Sequence, residues 1–378
     1  MDGSGNGPSW KIGSIGYERR IMSSGMRLAA VLQAVRETGL PIKAKSLLAS
    51  LLSGTGLLKA NFERRAEANF AILTYHRILD RKGPRDCVQD GMFVDPETFD
   101  AHIRFLKKHF RIVPIRELAS APDRNAGRHP LCVLTFDDGW IDCYENAYPV
   151  LKLHSVPATV FLATDFIGTG RRMWPDRVSR LYQERNVSHA KRTRQGVSSD
   201  PVVIRLEAIK GTTRQQSETA IALLKNHRLD RIERVITELS DRWGCVDRAQ
   251  DRDFLSWGEV REMLSSGLVS FGSHTAGHQI LTTLSGEEIE RELVESKNAL
   301  IREGVADPSY IPFCYPNGDH DDKIVRMAAE AGYRLAVTTE RGWNGYTPGD
   351  PFRFRRISVH QDICSTAAML GCRIAGFI

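Results

Sequence analysis

From residue 69 onward, short apolar runs alternate with amphipathic helical patterns. Seven runs predict β-strands, at residues 70–75, 131–136, 158–163, 269–272, 310–315, 335–338 and 354–359. Helical patterns lie between them at residues 96–109, 142–154, 257–266, 286–304 and 321–331. Strands that alternate with helices usually pair in parallel through right-handed crossovers. The chain therefore predicts an α/β fold built on a β/α sheet or barrel.

Two stretches depart from this alternation. Residues 1–68 precede the first strand, and residues 27–58 combine apolar and basic side chains at helical spacing. We therefore expect an N-terminal extension that is partly helical or disordered, followed by a main domain over residues 69–378. Residues 178–252 are polar and basic, with helical periodicity near 217–225 and 229–243. They predict a helical insertion that either caps the site or only decorates the fold.

Composition and charge narrow the function classes. The chain has 52 Lys and Arg against 46 Asp and Glu, and residues 1–70 hold ten basic against five acidic residues. This charge is too diffuse, and too poor in interleaved aromatics, for a nucleic-acid interface. No apolar run is long enough to predict a transmembrane helix. The basic segment could instead contact an anionic membrane surface, or it could pack on the main domain.

Cysteine usage and the N-terminus predict the compartment. Seven cysteines are scattered without CxxC pairs, which favours a reducing environment over a disulfide framework. Residues 1–16 are rich in Gly and Ser and lack the apolar core of a secretory signal. We therefore expect a cytoplasmic protein, which could also associate peripherally with a membrane.

Polar side chains collect directly after the predicted strands. They are His76, Asp137, Asp138, His274, Tyr315 and His360. The carboxyl ends of parallel strands meet at one edge, and a β/α barrel carries its active site there. The sequence therefore predicts a site at this end of the strands.

Two histidines and a carboxylate among these residues form a candidate metal site. Asp138, His274 and His278 supply three protein ligands, which leaves open positions for water and substrate, as in catalytic zinc sites. Zinc lowers the pKa of its bound water to about 7, and the same ligand set accepts cobalt, nickel or iron. Asp137 cannot easily share the ion with its neighbour, so we expect it to take a proton from the metal-bound water. Gly139 allows a sharp backbone turn.

Two motifs resemble those of a known family. Residues 135–139 (Thr-Phe-Asp-Asp-Gly) and 274–278 (His-Thr-Ala-Gly-His) resemble the first two motifs of the polysaccharide deacetylases, the NodB-homology domain of family 4 carbohydrate esterases. Residues 73–77 and 313–318 are similar to the bacterial exopolysaccharide branch. The resemblance covers about residues 71–360. It implies a distorted (β/α)7 barrel and hydrolysis of an acetyl group, usually the N-acetyl of a hexosamine.

The resemblance also implies roles for individual residues. Asp137 is the general base, and Asp138, His274 and His278 bind the metal. The metal and a backbone N–H, that of Tyr315, hold the oxyanion.

Two questions about the catalytic residues stay open at this stage. His76 and His360 are rival candidates for the general acid, with His76 favoured. Cys314 stands where many relatives have an arginine that orients the base; Arg355 or Arg356 could take its place, and surface charge is the alternative explanation for both arginines.

The leading interpretation is a metal-dependent N-deacetylase that acts on an amino sugar in a surface polysaccharide or its lipid-linked precursor. An O-acetyl esterase or a small-amide hydrolase uses the same chemistry and stays open. A non-catalytic carbohydrate-binding protein is disfavoured, because the base and all three ligands are intact. Trp174 could stack on a sugar ring, although core packing explains it equally well.

Overall fold

A computed structural model describes residues 42–80, 90–119, 129–187, 198–245, 252–346 and 349–378. The first 41 residues, which hold most of the predicted extension, lie outside this set. Within the described ranges, no helix is long and apolar enough to cross a membrane.

Seven parallel strands form a closed barrel, which confirms the predicted fold class. The strands are β1 (Asn69–Tyr75), β2 (Leu131–Phe136), β3 (Ala158–Leu162), β4 (Val269–Ser273), β5 (Pro312–Cys314), β6 (Leu335–Arg341) and β7 (Phe354–Ser358). Around the barrel the order is β1, β7, β6, β5, β4, β3, β2. Pairing of β1 with β2, in which Ala71 opposes Cys132, closes the ring.

The barrel strands are buried on both faces. Every residue of β2 and β3 is buried, because helices cover the outside while side chains fill the interior. This explains why these strands appear in the sequence as continuous apolar runs and not as alternating patterns. Four short strand segments of the described residues lie outside the barrel: Arg77–Ile78 pairs with Phe93–Val94, Arg111–Ile112 lies beside β2, and Asn344–Gly345 runs antiparallel to β1.

Helices surround the barrel in the predicted order. The helices outside the insertion are α1 (Ile42–Gly54), α2 (Leu57–Ala66), α3 (Pro96–His109), α4 (Tyr148–His154), α9 (Trp257–Ser265), α10 (Gly286–Arg302), α11 (Asp322–Glu330) and α12 (Ala367–Ala375). Ser285 and Glu288 form a capping box at the start of α10. The region predicted as one helix over 142–154 is instead a π-helical turn, Cys143–Ala147, followed by α4.

Four helices between β3 and α9 make a compact unit with its own apolar core. They are α5 (Trp174–Val187), α6 (Pro201–Ala208), α7 (Thr213–Leu224) and α8 (Leu229–Trp243). Tyr182, Leu206 and Leu239 are fully buried within this cluster. Periodicity predicts α7 and α8 but not α5, whose charged residues obscure its apolar face, nor the short α6.

Candidate active site

A cavity of about 160 Å³ opens at the carboxyl ends of the barrel strands. The residues predicted for the site that line it are His76, Asp137, Asp138, His274, His278 and Tyr315. Arg356 lies directly behind them, in contact with Asp137. His360 does not line this cavity.

The three predicted metal ligands converge on one point. Oδ1 of Asp138 lies 3.4 Å from Nε2 of His274 and 3.2 Å from Nε2 of His278. One candidate ligand atom from each of the three residues lies within 4.8 Å of the other two. One carboxylate oxygen and two imidazole nitrogens at this spacing fit a divalent ion.

Hydrogen bonds to neighbouring groups leave Oδ1 of Asp138 and Nε2 of His274 available to bind a metal. The indole N–H of Trp140 donates to Oδ2 of Asp138 at 2.8 Å, so that Oδ1 alone faces the histidines. Nδ1 of His274 lies 2.8 Å from the carbonyl oxygen of Cys314. A carbonyl only accepts, so Nδ1 carries the proton and Nε2 keeps its lone pair. Burial also lowers the pKa of His274 to about 4, which keeps the imidazole neutral.

The backbone at this site is strained. Asp138, Thr275 and His278 all adopt positive φ angles, of 74°, 63° and 54°. Non-glycine residues rarely occupy this region, and a β-branched residue such as Thr275 does so at a cost of about 1–3 kcal/mol. Gly139 follows at φ 82°, where an added Cβ would lie 2.7 Å from Leu162, so the predicted need for glycine is confirmed. Such strain accumulates where side-chain positions matter for function.

Asp137 is held by a buried arginine. The guanidinium of Arg356 donates to both carboxylate oxygens of Asp137 at 2.7 Å, and Arg356 is only 1% exposed. The carbonyl of Thr338 and the hydroxyl of Thr74 accept further bonds from Arg356, which fix its position. Burial alone would raise the pKa of Asp137, but the charge of Arg356 outweighs it and lowers the pKa to about 2. Of the two arginines considered from the sequence, Arg356 reaches Asp137, whereas Arg355 pairs with Glu340.

A second group with metal-binding atoms overlaps the first. Asp137, His274 and Cys314 also lie within ligand distance of one another. However, the guanidinium of Arg356 places a positive charge against both oxygens of Asp137, which opposes a cation there, and burial raises the pKa of the Cys314 thiol well above its usual value. A protonated thiol is a poor ligand, so the group containing Asp138 fits a metal better.

The two candidate acids occupy different positions. His76 lines the cavity, is about a quarter exposed, and has Nε2 3.8 Å from Oδ2 of Asp137. His360 follows β7 and pairs through Nδ1 with Asp362. The geometry therefore brings His76 to the reacting region and leaves His360 outside it.

Tyr315 lies at the wall of the cavity, as expected. Its backbone N–H faces the carbonyl of Val337 at 3.4 Å, which is a long hydrogen bond, and its hydroxyl donates to the carbonyl of Phe352 at 3.2 Å. The N–H predicted to hold the oxyanion thus has a weak partner within the barrel.

The family model described as polysaccharide deacetylase matches residues 124–195 and 198–336, more than half of the chain. The chain belongs to the polysaccharide deacetylase family. The match includes β2 with Asp137 and Asp138, and β4 with both histidine ligands.

Individual relatives agree with this family. YxkH of Bacillus subtilis, provisionally named as a polysaccharide deacetylase, is 27% identical over 157 residues, which are 41% of this chain and 50% of that protein. A poly-β-1,6-N-acetyl-D-glucosamine N-deacetylase of Staphylococcus epidermidis is 29% identical over 119 residues, 29% of this chain and 41% of that protein. The matches thus span half or less of these relatives. The Streptococcus pyogenes deacetylase PplD, solved with acetate, shares the fold at a TM-score of 0.51 and 20% identity, over 80% of this chain and 96% of that chain.

Sequence reasoning missed three contributors to this deacetylase-family site. Of these three residues, Trp140 alone could have been inferred from a sequence motif, because it directly follows the Asp-Asp-Gly turn, two positions after Asp138. Asp176 and Lys225 come from the helical insertion and line the cavity. Lys225 bonds Oδ1 of Asn317 at 3.2 Å, which joins α7 to the barrel rim. Burial raises the pKa of Asp176 to about 6, against the opposing charge of Arg77.

Proposed function

We propose that this chain is a metal-dependent N-deacetylase that hydrolyses the N-acetyl groups of amino sugars in a surface polysaccharide or its lipid-linked precursor. The observation that carries the proposal is the pairing of two units in one cavity. One is the convergent set of Asp138, His274 and His278, and the other is the Asp137 carboxylate clamped by Arg356.

The ligand set suits a divalent ion, for which we propose zinc. Asp138, His274 and His278 would hold it, and cobalt, nickel or iron are the competing ions. When bound, such an ion polarises a carbonyl and lowers the pKa of water at the site. The imidazole of His274 stays neutral because burial lowers its pKa, and the carboxylate of Asp138 stays ionised because its pKa is held below its usual range despite burial.

The remaining steps belong to the protein's own side chains. Asp137, fixed by Arg356, accepts the proton of the attacking water as the water oxygen bonds to the acetyl carbon. The N–H of Tyr315 can exchange its long bond to Val337 for a bond to the developing oxyanion. His76 protonates the sugar nitrogen as the C–N bond breaks, which yields acetate and a free amine.

The named relatives support an amide substrate on an amino sugar. The staphylococcal relative bears the name of an N-deacetylase of poly-N-acetylglucosamine. Lipid linkage of the substrate and peripheral membrane contact belong to the proposal, and their support is the basic N-terminal composition described above. A cytoplasmic location also belongs to the proposal, and its support is the scattered cysteines.

The experiment that tests the proposal is acetate release. Metal-stripped protein is assayed on N-acetylglucosamine oligomers and on an O-acetylated xylan, before and after addition of zinc or cobalt. Metal-dependent acetate from the amide substrate supports the proposal. Acetate from the ester alone would replace it with an O-acetyl esterase. Bound metal without acetate from either substrate would contradict the proposed reaction on these sugars.

A further inference from the structure

A second cavity, of about 370 Å³, adjoins the candidate active site. The two cavities share three lining residues, Met173, Trp174 and His278. One wall comes from α5 and α8 of the helical insertion, and the other comes from the turn that carries His278. A ligand seated at the candidate metal site can therefore extend a substituent into this second space.

The second cavity is lined with positive charge. Among the described residues that line it, the charged side chains are Arg171, Arg172, Arg177 and Glu233, so three guanidinium groups face one carboxylate. Arg177 pairs with Glu233 across the cavity, whereas Asp165, the partner of Arg171, lies outside the lining set. Asp253, which pairs with Arg172 at 3.0 Å, is buried and does not line the cavity.

The outermost arginine has the weakest pairing. Arg171 is 56% exposed, and its contact with the exposed Asp165 is 3.4 Å long. An ion pair of this kind contributes little in water. Its guanidinium can turn to an incoming anion with little loss, and guanidinium groups bind phosphate oxygens in bidentate fashion.

The position of the cavity matches the structure of an amino sugar. The acetamido group of a 2-acetamido hexose sits on the carbon next to the anomeric carbon. When the acetamide lies at Asp138 and His278, the anomeric substituent lies within a few bonds of the reacting amide. Trp174, at the boundary between the cavities, offers an aromatic face between the two groups.

We propose that the second cavity is an anion subsite that binds a phosphate or diphosphate ester on the anomeric carbon of the substrate. The inference rests on the proposed N-deacetylase function and specifies its substrate class: a phosphate-linked amino sugar is preferred to a neutral glycoside. A lipid-linked and a nucleotide-linked sugar share this chemistry.

The test compares acetate release from N-acetylglucosamine 1-phosphate with release from methyl N-acetylglucosaminide, in the zinc-loaded full chain. The quantity measured is the ratio of the two kcat/KM values. We expect the wild-type ratio to exceed about 10, and Arg171→Gln or Arg177→Gln to lower it about fivefold, because each charge-assisted contact to phosphate contributes on the order of tenfold. Acetate release from UDP-N-acetylglucosamine and from a lipid diphosphate sugar is then compared, to decide whether the preferred substrate is nucleotide-linked or lipid-linked.

Two further variants keep the result interpretable. Glu233→Gln removes the one lining carboxylate and should raise the ratio, a gain that damage to the fold cannot produce. Arg234→Gln, on the same helix but in an exposed pair with Asp230, should leave the ratio unchanged. A wild-type ratio near 1, or a high ratio that persists in Arg171→Gln and Arg177→Gln, would overturn the anion subsite. Failure to release acetate from any amide, by contrast, would reject the N-deacetylase function itself.

Discussion

The mouth of the barrel and the helical insertion meet at one cavity, but they are assembled in opposite ways. At the barrel mouth, partners are distant in sequence: Asp137 and Arg356 are 219 positions apart. The insertion buries its own core within four consecutive helices, α5 to α8. The barrel mouth carries positive φ angles at four non-glycine residues, the fourth being Asn317 at the rim, whereas the insertion has regular helices with a capping box at Thr212.

This difference separates chemistry from recognition. The strained barrel mouth holds the candidate metal ligands and the base, where displacement by a fraction of an ångström changes the reaction. The insertion adds only wall residues such as Asp176 and Lys225. Changes in the barrel mouth should therefore abolish turnover, and changes in the insertion should alter substrate preference or local stability.

The largest expected loss of activity follows from removal of a candidate metal ligand or of the base. His278→Ala should lose bound metal and detectable activity, because it removes one of three ligands. Asp137→Asn should keep the metal and lower kcat by about 10³-fold, in the range for removal of a general base. Metal content by plasma emission spectroscopy, together with acetate release, checks both. If Asp137→Asn loses metal while Asp138→Asn keeps it, the assigned roles of the two carboxylates are reversed.

A change at Arg356 should damage both activity and stability. Arg356→Gln leaves Asp137 buried without its partner, which should lower the free energy of unfolding by about 3–5 kcal/mol. Arg356→Lys keeps the charge but not the bidentate geometry, so it should recover part of the stability while kcat stays about 10²-fold low. Urea unfolding and steady-state kinetics measure the two quantities. Full activity in the lysine variant would show that orientation of Asp137 by two bonds is unnecessary.

The two histidines give a direct test of the acid. His76→Ala should lower kcat by about 10²-fold, because the group that protonates the leaving nitrogen is gone. His360→Ala is the matched control and should change kcat less than twofold, since His360 lies outside the cavity and pairs with Asp362. The opposite pattern would make His360 the acid.

The last expected effect lies in the insertion, at Asp176, and concerns stability rather than turnover. Its pKa is raised from 3.8 to about 6, so the native state favours the protonated form. The stability that this proton contributes is complete below pH 3.8 and is lost as the pH rises through 6. Asp176→Asn should therefore lie close to wild type at pH 4 and be more stable by about 3 kcal/mol at pH 7.5. Thermal melts in EDTA test this, and an equal difference at both pH values would exclude titration of Asp176 as the cause.

The sequence predicted the part of the fold that has a strong local signal. All seven barrel strands were identified, with ends that differ by up to three residues. Buried parallel strands are continuous apolar runs, and few other elements look like them. The predicted strand at 310–315 shrinks to Pro312–Cys314 because Tyr310 is engaged in a bridge with Asp307.

The site was predicted where sequence motifs are compact and missed where contacts are non-local. The candidate metal-binding group follows from two short motifs, and the structure brings its members together. The choice between Arg355 and Arg356 could not be made from the sequence, because neighbouring strand residues point to opposite faces and the strand register decides which one points inward. Asp176 gave no signal, since a single carboxylate on a charged helix resembles any solvated residue.

The contact between Asp137 and Arg356 also has a consequence for biosynthesis. The strands β1 and β2, the second of which directly precedes Asp137, leave the ribosome long before β7, which carries Arg356. Until β7 inserts between β1 and β6, the ring is open and a carboxylate destined for burial has no counter-charge. An incomplete nascent chain therefore cannot assemble the reaction centre, and acquisition of activity should coincide with the last step of barrel closure.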